Sequence, residues 1–261
     1  MNVRIFLLDI LTNINYPRRK KKENYMRELI FIRHGQASFG RGDYDILSER
    51  GREQAFLVAQ YLLNTGVLFD RAYSGTLQRQ VGTAEVVLDH LRANTVSTPP
   101  LRQIKELNEY QFERIMSHYV PLVAQEDASL QPLVEELLTD KRAFQLVFDR
   151  VMTRWLGDDS SLEKVEGWIR FKERIEQGIY QITSTMEQNS RVIVFSSGGV
   201  ISTALHIATG MSPYEAIRIG WGLVNTSMTK FRFGSSGLIL HSFNNYPHLE
   251  GYRAGELITY R

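Results

Sequence analysis

The sequence predicts a three-layer α/β/α sandwich with a mostly parallel central sheet and a helical insertion over the sheet's carboxyl edge. Three observations predict it. Short apolar runs at residues 29–32 and 192–195 suit strands buried on both faces. Such runs alternate with amphipathic helical patterns, as βα units of a parallel sheet do. From about Phe112 to Met186 the pattern is helical throughout and interrupts that alternation.

The elements follow in order. Leu29 to Ile32 forms a first strand that runs into Arg33-His34-Gly35-Gln36. After a loop rich in glycine and polar residues, Gln36 to Asp45, Ser48 is placed to cap a helix, with Glu49 and Glu53 in its first turns. Ala55, Val58, Ala59, Leu62 and Leu63 recur at helical spacing, and Gly66 stops the helix. Phe69 to Tyr73 reads as a second strand that ends at Ser74-Gly75-Thr76. A second helix over about Leu77 to Leu91 carries Arg79 in its first turn. Pro99-Pro100 breaks the chain, and Leu101 to Leu107 is a third strand or extended stretch. The helical segment breaks near Gly157 and Ser160, and its last helix runs from Gly167 to Met186. Arg191 to Phe195 is a fourth strand, which turns through Ser196-Ser197-Gly198-Gly199 into the helix Val200 to Thr209. Val224 to Phe233 and Leu238 to Phe243 flank Gly234-Ser235-Ser236-Gly237 as a hairpin.

Composition narrows the function classes. Of 261 residues, 43% are apolar and 23% charged, which is enough for a sizeable core. The net charge of +2 gives no global attraction for nucleic acid, and no basic patch is interleaved with aromatic residues. There are no cysteines, so thiol chemistry and disulfides are excluded, in keeping with a cytoplasmic location. Val3 to Leu11 is largely apolar and precedes the basic cluster Arg18 to Lys22, the reverse of a secretory signal's order. Residues 1–25 are expected to be a poorly ordered extension to a domain spanning 26–261, whose insertion covers about 112–186. No run approaches the length of a membrane-spanning helix, and no metal-ligand cluster or cofactor motif is apparent.

Three strand ends carry the polar residues that matter: Arg33-His34, Ser74 to Arg79, and Ser197-Gly198. Ligands of α/β sheets collect at such ends, and a helix N-terminus offers free amide donors to an anion. If the strands are neighbours, Arg33, Arg79 and the amides near Gly198 converge on one volume suited to phosphate. His34 would face the phosphorus.

The chain resembles the histidine phosphatase (phosphoglycerate mutase-like) superfamily. The resemblance is carried by Leu29 to Gly35, Leu47 to Ala55, Ser74 to Arg79 with Thr83-Ala84-Glu85, and Leu107-Asn108-Glu109. It continues through Phe171 with Arg174, Ser197-Gly198-Gly199 and Asn244 to Leu249. It implies that His34 is phosphorylated and then dephosphorylated by water, that Arg33 and Arg79 hold phosphoryl oxygens, and that a carboxyl group serves as acid and base. Glu109 is the first choice for that group and Glu106 the second. Gln36, Ser197 and Gly198 are the expected substrate-binding residues. Most members carry a second histidine directly before the Gly-Gly pair, whereas this chain has Ser197. Together with the Gln36-Ala37-Ser38-Phe39-Gly40 loop, that serine resembles a bacterial subgroup pattern.

A serine offers one neutral donor where an imidazolium offers a charge-assisted one. The expectation is therefore a phosphomonoester hydrolase, slowed by Ser197, that takes a small phosphorylated substrate or phosphate ion without a metal. The alternatives are a protein that only binds phosphorylated ligands and, less favoured, a sugar-phosphate mutase. An exposed apolar face in the insertion would let two copies pair.

Overall fold

The computed structural model describes residues 27–38, 45–158, 165–251 and 253–260. The extension expected at 1–25, the Phe39-Gly40 part of the loop and the break at Ser160 lie outside the described residues. The strands are β1 (Arg27–Arg33), β2 (Arg71–Ser74), β3 (Leu101–Gln103), β4 (Arg191–Ser196), β5 (Met228–Gly234) and β6 (Gly237–Asn245). The helices are α1 (Glu49–Thr65), α2 (Gln78–Ala93), α3 (Phe112–Glu126), α4 (Gln131–Glu135), α5 (Lys141–Leu156), α6 (Trp168–Thr183), α7 (Gly198–Thr209), α8 (Pro213–Gly220) and α9 (Ala254–Leu257).

Alternation along the strands sets the layers. In β1, Leu29 and Phe31 enter one apolar cluster while Ile30 and Ile32 enter another, because successive strand residues face opposite sides. β4 repeats the division, with Val192 and Val194 opposed to Ile193 and Phe195. The Ile30 face is covered by α1 and α2 through Ala55, Val58, Ala59 and Leu62 and through Ala84, Val87, Leu88 and Leu91. The Leu29 face is covered by α6, α7 and α8, and its cluster continues unbroken into Ile115 and Tyr119 of α3 and Val151 and Trp155 of α5. Each such fully buried aliphatic or aromatic side chain contributes on the order of 1.5–3 kcal/mol. The helical segment therefore shares one core with the sheet.

The strand order is β3-β2-β4-β1-β5-β6. β3, β2, β4 and β1 run parallel, and β5 and β6 add an antiparallel hairpin beside β1. This is the expected α/β sandwich. The helices after β1 and β2 lie on the Ile30 face, whereas α7, which follows β4, buries Val200, Ile201 and Ala204 on the other. The chain thus leaves the adjacent strands β1 and β4 in opposite directions, which opens a crevice beyond their carboxyl ends.

Two local expectations are corrected, and one helix is added. The third strand stops at Gln103, and Lys105–Leu107 turns as a 3₁₀ helix that carries the following carboxylates back over the sheet. The hairpin strand begins at Met228 rather than Val224, because Thr226 takes a left-handed φ of 62° and its N–H bonds Arg33 O at 3.0 Å. Helix α8 lies in a stretch with no sequence assignment, although Ser212, Pro213 and Glu215 form a capping box at its start.

Candidate active site

β1 and β4 end side by side, and His34 N donates to Ser196 O at 2.8 Å, one step beyond the paired residues Arg33 and Ser196. His34 is buried, 5% exposed. Its backbone is pinned from behind by Asn225, whose Nδ2 donates to His34 O at 3.0 Å. The ring makes two polar contacts, and together they fix its tautomer. Nδ1 lies 2.8 Å from Gly35 O, which can only accept, so Nδ1 carries the proton. Nε2 lies 3.2 Å from Arg79 Nε, which can only donate, so Nε2 presents its lone pair. Burial first, and then the charges of Arg79 and Arg33, hold the imidazole well below its ordinary value of 6.5, with the Gly35 carbonyl pulling the other way. The ring is thus neutral, with its Nε2 lone pair turned inward onto the Arg79 N–H.

Arg79 sits in the first turn of α2 and is 8% exposed. Its Nη1 pairs with Asp45 Oδ1 at 2.6 Å, and the other oxygen of Asp45 accepts from Gln78 N at 2.8 Å. Asp45 therefore caps α2, whose own N-cap residue Leu77 has no side chain to do so, and orients the arginine in the same act. Nothing in the spacing around Asp45 marks this role. Arg33 reaches the carbonyls of Leu223 and Tyr260, the latter at 2.8 Å. A Cβ built on Gly198 would lie 3.8 Å from Arg33 Nε, so the guanidinium borders the start of α7.

The two carboxylates offered by the sequence part company. Glu109 Oε2 accepts from Gly199 N at 2.9 Å, and its Oε1 accepts from Tyr110 N at 3.1 Å. Gly199 must be glycine here, since a Cβ would fall on Glu109 Oε1 and the Tyr110 ring. Burial raises the Glu109 carboxyl above its usual value of 4.5, partly offset by the Gly199 N–H, Arg79, the Tyr110 N–H and Arg33. Glu109 thus feels the same two arginines as His34. Glu106 lies on the far side of the turn, where its Cβ borders Gly178 of α6 and its carbonyl accepts from Arg174 at 2.9 Å. Arg174 also grips Glu166 through two 2.7 Å bonds, so it ties α6 to this turn.

Ser197 is fully buried at the N-cap of α7, directly after Ser196, whose carbonyl accepts from His34 N. Gln36 is turned toward α1: its N–H donates to Gln54 Oε1 at 2.8 Å, and its Oε1 lies 3.1 Å from Ser48 Oγ. The structure thus brings together His34, Arg33, Arg79, Glu109, Ser197 and Gly198, with Gln36 at the margin. His248 cannot stand in for a second imidazole where it lies. It is held 3.0 Å from Thr226 Oγ1, and burial lowers it to about 4. Among the described residues no group of histidine, aspartate and glutamate is arranged to hold a metal ion, and no helix is long and apolar enough to cross a membrane.

A family model described as the histidine phosphatase superfamily (branch 1) matches residues 29–132 and 138–246. The chain belongs to that superfamily. Among curated relatives, a 2,3-bisphosphoglycerate-dependent phosphoglycerate mutase of Bartonella bacilliformis is 36% identical over 92 residues, 32% of this chain and 42% of the relative. The chain thus spans less than half the length of that relative. Among solved structures, a phosphoglycerate mutase of Bacillus anthracis aligns with TM-score 0.59 and 23% identity, covering 85% of this chain and 95% of that one. A phosphoserine phosphatase of Entamoeba histolytica in complex with 3-phosphoglyceric acid aligns with TM-score 0.56 and 23% identity, covering 85% and 99%. These likenesses establish the fold.

Proposed function

We propose that this chain hydrolyses small phosphomonoesters through a phosphohistidine on His34. The observation that carries the reading is the state of that ring: neutral, with Nδ1–H given to Gly35 O and the Nε2 lone pair facing Arg79. The phosphoryl group settles between Arg33 and Arg79, whose guanidinium groups match its oxygens and supply the positive charge. Nε2 attacks phosphorus in line, the bond to the ester oxygen breaks, and Glu109 delivers its proton to the departing alcohol. The raised Glu109 carboxyl favours the protonated form this step needs. The Gly35 carbonyl steadies the positive charge that the ring acquires. In the second step Glu109, now a carboxylate, takes a proton from water as its oxygen attacks phosphorus. The N–P bond breaks, its electron pair returns to Nε2, and phosphate leaves.

Superfamily membership and the likeness to a phosphoserine phosphatase support phosphoryl chemistry on a small substrate. One observation favours a second reading, in which the chain binds phosphorylated ligands without turning them over. Ser197 stands where the resemblance calls for an imidazole, and the loss of one donor from a transition-state clamp costs about 10²–10³ in rate. A panel of phosphate esters, assayed for phosphate release beside His34→Ala, separates the two. Turnover that falls at least about 10⁴-fold in the variant supports hydrolysis. Tight phosphate binding with background turnover supports the binder, and equal turnover in both proteins removes His34 from the chemistry.

A further inference from the structure

Gln80 follows Arg79 on α2 but points inward and is fully buried. Its Nε2 donates to Leu107 O at 3.0 Å and to Ser197 Oγ at 2.8 Å. Ser196 Oγ donates to the same Leu107 carbonyl at 2.9 Å. One amide thus joins α2, the turn before Glu109 and the end of β4. The room for it comes from Gly75, where a Cβ would fall on Gln80 Oε1. Packing does not explain the amide. Its Oε1 is buried and meets no hydrogen-bond partner among the described residues, a cost that an apolar side chain of the same volume would avoid.

The consequence falls on Ser197. A hydroxyl carries one proton and two lone pairs. The Gln80 N–H already occupies a lone pair of Ser197 Oγ, and an N–H donor cannot accept the hydroxyl's proton in return. That proton meets no acceptor among the described residues, and the side chain makes no cap bond within α7. We propose that Gln80 is a positioning residue, which holds the Ser197 hydroxyl as a donor toward the phosphoryl group beside His34. The inference rests on the phosphatase reading and adds to it the group that serves where most relatives have a second imidazole. The two positions act as one unit: an amide behind, a hydroxyl in front.

The test is a double-mutant cycle on the full chain with Gln80→Met, Ser197→Ala and the pair, reading kcat, KM, affinity for inorganic phosphate by calorimetry, and melting temperature. Gln80→Met keeps the volume and removes the donor. The expected results are an about tenfold loss of kcat with little change in KM for Gln80→Met, and an about 10²-fold loss for Ser197→Ala. The pair is expected to be no slower than Ser197→Ala alone. Independent losses that multiply in the pair would mean that Gln80 does not act through Ser197 and would overturn the proposal. Unchanged kcat in Gln80→Met, in an enzyme that still labels His34, would overturn it while leaving the phosphatase reading intact. A wild-type chain that neither turns over nor binds phosphate would overturn both. Should Gln80→Met not fold, Gln80→Glu keeps the shape and reverses the bond. Its carboxyl, kept protonated by burial, gives its one proton to Leu107 O, and the same oxygen accepts the Ser197 hydroxyl's proton, so its loss of kcat is expected to equal that of Ser197→Ala, and full activity would refute the assignment.

Discussion

The candidate site has a charged side and a neutral side, and the two are built on different principles. On the charged side His34, Arg33 and Glu109 are each held by backbone groups, namely the Gly35, Leu223 and Tyr260 carbonyls and the Gly199 N–H. Arg79 is held by Asp45. On the neutral side Gln80, Ser196 and Ser197 bond to one another's neighbours in a fully buried cluster around the Leu107 carbonyl. The difference teaches a division of labour. Charges placed around a phosphoryl group supply most of the stabilisation, while neutral donors supply direction at lower cost in desolvation.

Breaking the charged side should therefore cost more than breaking the neutral one. Arg79→Ala removes both the proposed phosphate ligand and the partner of His34 Nε2, and it is expected to lower kcat/KM by about 10³-fold or more. Arg79→Lys restores charge without the planar fork and should recover only part of the loss. Steady-state kinetics of the two variants side by side measure this.

Glu109→Gln comes next, with an expected loss of about 10²–10⁴-fold on alkyl phosphates. The loss should be much smaller on p-nitrophenyl phosphate, whose leaving group needs no proton. The pH profile gives a second handle. His34 must be neutral and is lowered below 6.5, so the acid limb of kcat/KM lies well below that value. Glu109 must be protonated for the first step and is raised above 4.5, so activity falls as pH rises through its elevated value. Glu109→Gln should remove that alkaline limb.

The smallest expected effect is that of an enlarging substitution on the neutral side, and it falls on stability. Ser197→His puts an imidazole into a fully buried site against Gln80, and overpacking of this kind costs about 1–3 kcal/mol. Combining it with Gln80→Ala should return most of that loss in denaturant unfolding. If Ser197→His alone is as stable as the parent, the neutral cluster is looser than described.

Arg33, His34 and Ser197 are legible in the sequence, whereas Gln80 and Asp45 are not, for physical reasons. Arg33-His34 closes an apolar strand, Ser48 and Gly66 bracket α1, and Ser197-Gly198 opens α7. Each is a local signal, and the sheet order only had to bring their ends together. Gln80 shares the buried face of α2 with Thr83, Ala84 and Val87, and a polar residue in that register requires a partner. Its partners stand 27 and 117 residues away, and no spacing rule names them. Asp45 was hidden in the same way, as a loop residue whose helix belongs to another part of the chain. The third strand was overextended because Ile104 and Leu107 are apolar and buried, whatever the backbone between them does.

The central claim is that His34 attacks through Nε2 because Nδ1 is committed to Gly35. Phosphorus NMR of the chain trapped during turnover, beside His34→Ala, distinguishes the two ring isomers of phosphohistidine. The predicted result is a single Nε2-phosphorylated species that disappears in the variant. A phosphoryl group on Nδ1, or turnover with no phosphohistidine while the label survives in His34→Ala, would contradict it.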